Sequence, residues 1–334
     1  MNFRPKNLNE QTIVITGASS GIGLATAREA ASQGAQVVLV SRDESALRQV
    51  VEELQGAGGD AIAVTADVGD PDAVNAIAES AIAKYGGFDT WVNNAGVSIY
   101  GLLDEVPVED HRRLFETNFW GTVYGSLAAL PHLKDNGGTL VNVGSVLSER
   151  AIPLQGMYSA SKHAVKGFTD ALRTEMMHAK LPVNVTLIKP SGIDTPYVEH
   201  ARNYTHKAAT LPAPVYDPSL VADGILSCAT TYRRELTIGE QKAYEWLEAT
   251  FPGLADRMIA QTSVGQQQLE RPPRHAGDNL FSPPPVSDPQ QRGEYTGYTM
   301  PISPYTSIAK HPLATLAILG GVLVGLGALT RVNR

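Results

Sequence analysis

The stretch TIVITGASSGIGLATA, residues 12–27, passes from an apolar strand pattern directly into a helix pattern through a turn rich in glycine. Gly17, Gly21 and Gly23 give the spacing T-G-x-x-x-G-x-G. Glycines at such a turn allow a tight bend and a close approach of the backbone to a ligand, and the amides of a helix N-terminus bind phosphate. A turn of this kind can also be purely structural, so its place in the fold decides between the two interpretations.

Short β-rich runs alternate with helical patterns from residue 12 to about residue 260. Six runs are almost continuously apolar, which is typical of strands covered by helices on both faces of a parallel sheet. These predicted strands are 12–16, 36–40, 61–65, 89–94, 139–143 and 183–188. The alternation predicts an α/β fold with a Rossmann-type doubly wound parallel sheet of about seven strands. The glycine turn then lies where such folds bind dinucleotides.

The end of the second predicted strand indicates which dinucleotide is bound. An acidic residue there would accept hydrogen bonds from the adenosine ribose of NAD. This chain has Ser41 and Arg42 instead, and a guanidinium matches a 2′-phosphate in both charge and donor geometry. Asp43 could still turn inward, and Arg42 could be a solvated surface residue. We therefore predict NADP(H) in preference to NAD(H).

The composition changes after about residue 262. Residues 271–304 contain eight of the 21 prolines, which is typical of an extended or disordered linker. Residues 313–330 carry no charged side chain and would span roughly 27 Å as a helix, close to the thickness of a bilayer core. The alternative for that segment is a core or oligomerisation helix. We predict a catalytic domain over 1–262, a flexible linker over 263–311 and a transmembrane helix over 312–331.

Charge and cysteine content exclude several classes of protein. The net charge of −7 and the isoelectric point near 5.6 argue against a nucleic-acid-binding surface. The single cysteine, Cys228, cannot form an internal disulfide, which favours a reducing compartment. The eight histidines lack metal-ligand spacing, so no metal site is predicted. Because the N-terminus has no secretory signal, we expect a membrane protein with one C-terminal anchor and a catalytic domain facing the cytoplasm.

Six short motifs follow one another between the glycine turn and residue 162. They are TGASSGIG (16–23), ADV (66–68), NNAG (93–96), Asn118 in ETNFWG, Ser145 in NVGSV, and YSASK (158–162). In this order and at these separations they resemble the classical short-chain dehydrogenase/reductase family, over about residues 10–260. The resemblance implies an NAD(P)-dependent enzyme acting on CH–OH groups, and a homo-oligomer.

Tyr158 and Lys162 are separated by four positions and therefore share one face of a helix. A free phenol has a pKa near 10, and a nearby ammonium stabilises its phenolate. We predict Tyr158 as the general acid/base, with Ser145 orienting the substrate oxygen. The resemblance further implies that Asn118 anchors a water connecting Lys162 to solvent, and that Lys162 binds the nicotinamide ribose. Taken singly, each of the four could be a core, surface or capping residue.

The resemblance also implies a set of further cofactor contacts. They are Ser19, Ser20 and Ile22 in the glycine turn, Asp67 and Val68 around the adenine, Asn94, Ala95 and Gly96 beneath the nicotinamide side, and Pro190, Ile193 and Thr195 in KPSGIDTP (189–196). The family's glycine after the proline is Ser191 here, which leaves the geometry of that turn open, since serine tolerates a positive φ less well than glycine.

The substrate pocket is expected, by the resemblance, between segments 97–101 and 146–156 and the stretch after Thr195. Six side chains could make it apolar: Ile99, Tyr100, Leu147, Ile152, Leu154 and Tyr197. An apolar pocket on a membrane-tethered domain favours a lipophilic carbonyl or alcohol, and NADP(H) favours reduction. The alternative is a non-catalytic NAD(P)-binding sensor or a membrane scaffold with the same fold. All four catalytic positions are intact, which favours the enzyme.

Overall fold

The computed structural model describes residues 4–240, 250–273, 277–283 and 288–310. Its strands, in chain order, are β1 (Thr12–Thr16), β2 (Gln36–Ser41), β3 (Asp60–Thr65), β4 (Thr90–Asn93), β5 (Ile99–Tyr100), β6 (Gly138–Val143), β7 (Val183–Pro190), β8 (Gly192–Ile193), β9 (Arg202–Asn203), β10 (Ala208–Ala209), β11 (Val215–Tyr216), β12 (Glu235–Ile238), β13 (Gln268–Leu269) and β14 (Thr299–Met300). Seven of them form one sheet in the order β12-β7-β6-β4-β1-β2-β3. Every neighbouring pair in that sheet is parallel. The predicted Rossmann-type sheet of seven strands is confirmed.

Helices cover both faces of this sheet. They are α1 (Gly21–Ser32), α2 (Glu44–Gly56), α3 (Pro71–Tyr85), α4 (Val108–Phe115), α5 (Gly121–Asn136), α6 (Gly156–His178), α7 (Pro218–Thr230), α8 (Pro252–Gln266) and α9 (Pro304–Lys310). Successive strand residues point to opposite faces, so Ile13 and Ile15 pack with α1, α2 and α7, whereas Val14 packs with α3, α5 and α6. Burial on both faces explains the continuous apolar runs of the sequence.

A buried polar network holds the two central strands, β4 and β6, against the helices. The side-chain amide of Asn93 donates to Asn142 Oδ1 (2.9 Å) and to Ser126 Oγ (3.1 Å), and its Oδ1 accepts from the Trp91 indole (2.8 Å). Asn142 in turn donates to Thr169 on α6 (3.0 Å). Because these groups satisfy one another, polar residues are tolerated in the core and fix the end of β4 next to the site.

The described part of segment 263–311 differs from the predicted flexible linker. The end of α8, the pairs β10–β13 and β11–β14, and the helix α9 all lie within it. Leu280 is fully buried against Val97 and Leu114. The prediction of a free linker is therefore wrong for these residues, and the proposed boundary at 262 falls inside α8. A few apolar anchors and backbone hydrogen bonds dock a proline-rich segment that has no periodic pattern of its own.

The predicted transmembrane helix, residues 312–331, lies outside the described residues. In the ranges that the structure covers, no helix combines the length and apolar character needed to cross a bilayer.

Candidate active site

The parallel sheet gathers the candidate residues at one edge, because the carboxyl ends of its strands all lie there. The loops at that edge enclose a cavity of about 720 Å³. Most of the predicted site residues line this cavity: Gly17, Ser19, Ser20, Gly21, Ile22, Ser41, Arg42, Asp67, Val68, Asn94, Ala95, Gly96, Ser145, Tyr158, Lys162, Pro190, Ile193 and Thr195. Gly23 and Asn118 are buried behind its wall.

The glycine turn is packed so closely that larger residues would not fit. Gly17 has a φ of +68°, and a Cβ added at Gly23 would lie 2.1 Å from the carbonyl oxygen of Gly17. α1 begins at Gly21, so the amides of its first turn have no acceptor within the helix; that of Gly21 donates to the carbonyl oxygen of Gln290 (2.9 Å). These features fit the pyrophosphate of a dinucleotide.

Thr16 locks this turn to the loop after β4, and sequence reasoning missed it. Its hydroxyl accepts hydrogen bonds from the backbone amides of Asn94 (2.9 Å) and Ala95 (3.1 Å). The side-chain amide of Asn94 donates to the carbonyl oxygen of Thr16 (3.0 Å). The two loops therefore form one rigid floor. A threonine directly before the first glycine of the turn was the only available signal.

The end of β2 resolves the two alternatives that the sequence left open there. Asp43 is the N-cap of α2, and its Oδ1 accepts from the amide of Ala46 (2.9 Å). This carboxylate therefore serves as a helix cap. The amide of Asp43 also donates to Ser41 Oγ (3.0 Å), which fixes the turn.

Arg42 is partly buried and held by backbone carbonyls. Its guanidinium donates to the carbonyl oxygen of Asn279 and to that of Leu280 (3.3 Å). Burial lowers the pKa of Arg42, and the nearby Asp67 acts in the opposite direction. The carboxylate of Asp67 is paired with Arg113 at 2.5 Å. The positive charge of Arg42 thus lies at the cavity wall without a directly paired carboxylate in the described part of the chain.

Tyr158 and Lys162 lie on α6, with the lysine Nζ 5.7 Å from the centroid of the phenol ring. Lys162 is 4% exposed and donates to the carbonyl oxygen of Val143 (2.8 Å). Burial lowers the pKa of Lys162 to about 8. Burial raises the pKa of Tyr158, while hydrogen bonds with Tyr197 and Ser145 act in the opposite direction. At neutral pH the site therefore holds a protonated phenol beside a mostly protonated amine.

Ser145 lies two residues after Val143, the last residue of β6. Its Oγ accepts from the amide of Leu147 (3.0 Å), so the serine caps the short turn Val146–Ser148. Ser145 and Tyr158 both line the cavity, and the serine hydroxyl acts to lower the pKa of the Tyr158 phenol against the effect of burial.

Asn118 lies in a π-helical turn, Glu116–Trp120, between α4 and α5. Its Oδ1 accepts from the amide of Val97 (2.8 Å), and its Nδ2 donates to the Val97 carbonyl (3.0 Å) and to Ser161 Oγ (3.2 Å). A Cβ at Gly96 would lie 3.3 Å from Asn118 Oδ1 and 3.9 Å from Lys162 Nζ. The structure therefore brings the side chains of Asn118 and Lys162 close to the same point beside Gly96. Such π-turns occur often at functional sites.

Tyr197 is a second tyrosine at the reacting centre. Its ring meets that of Tyr158 edge-on, with centroids 5.6 Å apart. Its hydroxyl lies 2.8 Å from Ser98 Oγ and donates to Gln155 Oε1 (2.9 Å). Gln155 is held in turn by Gln267, at the end of α8 (2.8 Å). The sequence suggested Tyr197 only as an apolar wall, because no local pattern reveals a hydrogen bond to residues so far away in the chain.

The predicted substrate pocket is confirmed only in part. Leu147, Ile152 and Tyr197 line the cavity, and Leu211 and Pro212 join them. The other three predicted side chains do not line it. Ile99 packs with Leu280, whereas Tyr100 and Leu154 are buried together beside Ala201.

The turn after Pro190 does not need the glycine of the family pattern. Among the described residues, the non-glycine positions with positive φ are Leu154 and Lys180, so Ser191 adopts an ordinary backbone conformation. β8 then pairs with β11, which places Ile193 opposite Tyr216. Thr195 lies against the glycine turn, 3.1 Å from the position that a Cβ at Gly21 would take.

In the described ranges, no cluster of three or more histidine, cysteine, aspartate or glutamate side chains could hold a metal ion.

Comparison with known proteins adds independent findings. Residues 11–205 match the family described as short chain dehydrogenase. The "uncharacterized oxidoreductase YxnA" of Bacillus subtilis is 45% identical over 329 residues, which cover 97% of this chain and 92% of the relative. A short-chain dehydrogenase/reductase from Burkholderia phymatum, solved with NAD, has a TM-score of 0.66 at 28% identity, covering 76% of this chain and 96% of its own. An alcohol dehydrogenase from Thermococcus sibiricus, complexed with 5-hydroxy-NADP, has a TM-score of 0.60 at 26% identity, covering 68% and 95%.

The lowered pKa of Lys162 is directly measurable. In the protein without cofactor, we expect the Lys162 amine to titrate near pH 8, because burial disfavours its charged form. It is protonated below that pH and loses its proton as the pH rises through it. NMR of ¹³Cε-labelled lysine tests this, with the signal assigned by its absence in Lys162→Met. A midpoint near the ordinary lysine value of about 10.4 would contradict the burial argument.

Proposed function

The chain belongs to the short-chain dehydrogenase family, and we propose that it uses NADP(H) to reduce a lipophilic carbonyl compound to an alcohol, with Tyr158 as the proton donor. It is an oxidoreductase of the type that acts on CH–OH groups. The observation that carries the proposal is the arrangement at the cavity wall, where Tyr158 and Ser145 both line the cavity and the buried amine of Lys162 lies 5.7 Å from the centroid of the Tyr158 ring.

The proton chemistry follows from these positions. When bound, the nicotinamide cofactor supplies the hydride. Ser145 donates a hydrogen bond to the carbonyl oxygen of the substrate and orients it, and Tyr158 gives that oxygen its phenolic proton. The raised pKa keeps Tyr158 protonated beforehand, and the ammonium of Lys162 stabilises the phenolate left behind. By the family pattern, Asn118 would hold a water that reconnects Lys162 to solvent; the nearness of both side chains to Gly96 supports this role.

Two features at the end of β2 support NADP(H). Asp43 lines the cavity, but its Oδ1 already accepts from the amide of Ala46 as the cap of α2, which competes with the role of ribose acceptor that an acidic residue has in NAD enzymes. The guanidinium of Arg42 lies at the cavity wall with backbone carbonyls as its recorded hydrogen-bond partners. A 2′-phosphate would supply the charge that these neutral carbonyls do not.

Apolar side chains at the substrate end support a lipophilic substrate. Leu147, Ile152, Leu211 and Pro212 line the cavity, as does Tyr197. Burying an apolar substrate against these side chains makes its binding more favourable, whereas a hydrophilic sugar would have hydroxyl groups without hydrogen-bond partners there.

The apolar segment 313–330 supports a membrane anchor, and we propose that it keeps the catalytic domain on the cytoplasmic side. We include self-association in the proposal, because Trp120 and Leu127 leave exposed apolar surface on the α5 side of the domain.

Replacing the acid tests the catalytic role. We expect Tyr158→Phe to lower the kcat for a panel of lipophilic ketones and aldehydes by about 100-fold or more, since the proton donor is lost. The Kd of NADPH should stay within about threefold of wild type. Tyr232→Phe, at an exposed position, is the matched control. Full activity in Tyr158→Phe would refute the role, and a wild-type protein that binds NADPH but turns over no carbonyl would favour the sensor.

Replacing the guanidinium tests the cofactor preference. Arg42→Ser should raise the Kd of NADPH about tenfold or more and change that of NADH little, because only NADPH carries the 2′-phosphate. Fluorescence titration with both dinucleotides measures this. Arg48→Ser, which removes an exposed arginine paired with Glu44, should leave both constants unchanged. Equal effects of Arg42→Ser on both dinucleotides would overturn the assignment.

Deleting residues 312–334 tests the anchor. The shortened protein should move from the membrane fraction to the soluble fraction and keep its NADPH-dependent turnover, because the site lies wholly in the preceding domain. Light scattering of the soluble form then gives its oligomeric state. A soluble full-length protein would contradict the anchor, and a monomeric shortened form would contradict self-association through the catalytic domain.

A further inference from the structure

Residues 277–283 and 288–294, here called the C-terminal strap, cross the open side of the cofactor cavity. Asn279, Gln290 and Gly293 line the cavity together with the glycine turn. Nothing in the family pattern between residues 10 and 260 requires this segment.

The strap is anchored by one apolar side chain. Leu280 is fully buried in a cluster with Val97, Ile99, Val106 and Leu114. The neighbouring Asp278 receives a hydrogen bond from Arg202 (2.8 Å), which adds an ion pair on the same side of the strap. The position of residues 278–280 is therefore set by packing rather than by surface contacts alone.

The anchored backbone in turn positions Arg42. The carbonyl oxygens of Asn279 and Leu280 both accept from its guanidinium, and the Leu280 carbonyl also accepts from Arg113 Nε (3.0 Å). Arg113 is the residue that pairs with Asp67. The buried side chain of Leu280 therefore fixes the backbone carbonyls that hold two arginines at the adenosine end of the cavity.

The strap also contacts the other parts of the site. The carbonyl oxygen of Gln290 accepts from the amide of Gly21 at the start of α1 (2.9 Å). The amide of Gly293 donates to Asp194 Oδ1 (3.2 Å), and a Cβ at Gly293 would lie 2.4 Å from the carbonyl oxygen of Thr195. The strap thus touches the loop regions assigned to the adenosine, the pyrophosphate and the nicotinamide side.

The cavity of about 720 Å³ lies between the docked strap and the glycine turn. That volume is within the range of small-molecule and cofactor sites, about 300–1,000 Å³. The strap therefore forms an outer wall and leaves the interior open, rather than filling the site.

We propose that the C-terminal strap is part of the dinucleotide site, and that Leu280 is a positioning residue that aims Arg42 at the adenosine 2′-phosphate. The inference rests on the proposed use of NADP(H). An arginine held by fixed carbonyl acceptors loses less side-chain entropy when a phosphate binds, and its neutral partners leave its charge for the ligand. Unseating Leu280 should free Arg42 and so weaken the binding of NADPH specifically.

The test is a double-mutant cycle on the full chain, with the Kd of NADPH and of NADH measured by fluorescence titration. Leu280→Ala should raise the Kd of NADPH about tenfold or more, as expected when a charge-assisted hydrogen bond is lost, and that of NADH less than about threefold. In the Arg42→Ser background, Leu280→Ala should have no further effect on the preference. Leu280→Met should keep the wild-type preference for NADPH over NADH. Ile302→Ala, which truncates an exposed aliphatic residue on the C-terminal side of the strap, should keep it too.

The contrary outcomes separate the two claims. A wild-type protein without a preference for NADPH refutes the proposed cofactor and this inference with it. A wild-type preference that survives Leu280→Ala refutes only the inference. NADH binding serves as the check on folding. If Leu280→Ala weakens the binding of NADPH and of NADH equally, Leu280 has a general structural role, and the inference is refuted. Tighter binding of either dinucleotide in Leu280→Ala shows that the strap competes with the cofactor, which refutes it as well.

Discussion

The hydrogen bond from Lys162 to the carbonyl oxygen of Val143 joins the two elements on which the site depends. Lys162 lies on α6 with Tyr158, whereas Val143 ends β6 two residues before Ser145. This 2.8 Å contact therefore brings the phenol, the serine and the amine to one end of the sheet. The same burial that forms the contact lowers the pKa of Lys162 toward neutrality and raises that of Tyr158. An amine near its titration point beside a protonated phenol is an arrangement suited to moving a proton.

The local parts of this arrangement could be predicted from the sequence, because each depends on short-range rules. Strand positions followed from apolar runs, the glycine turn from the needs of a tight strand-to-helix bend, and the Tyr158–Lys162 pairing from helical spacing. The seven-stranded parallel sheet then required those segments to meet at its carboxyl edge. The capping of α2 by Asp43 needed the structure, since a helix cap and an inward-turned carboxylate look alike in sequence.

Contacts between distant parts of the chain could not be predicted. Tyr197 reaches Gln155 and Ser98, and Gln155 is held by Gln267, so this network joins four separate segments. The docking of the strap was still harder to predict from the sequence. Its prolines and polar residues predict a chain without a core, yet one leucine and a row of backbone carbonyls dock it. The composition of a segment indicates how much apolar surface the segment can bury by itself. It does not reveal a groove that the rest of the domain provides for it.

The central claim is that a neighbouring cation and a docked dinucleotide make Tyr158 a proton donor whose phenolate is stabilised. The most direct measurement is the titration of Tyr158 by NMR of ¹³Cζ-labelled tyrosine, in the free protein and with NADP⁺ bound. The account predicts that bound NADP⁺ lowers the pKa of Tyr158 below its burial-raised value in the free protein, and that Lys162→Met raises the pKa of Tyr158 in both states. A Tyr158 titration that is the same with and without NADP⁺, or unaffected by loss of the lysine, would contradict it.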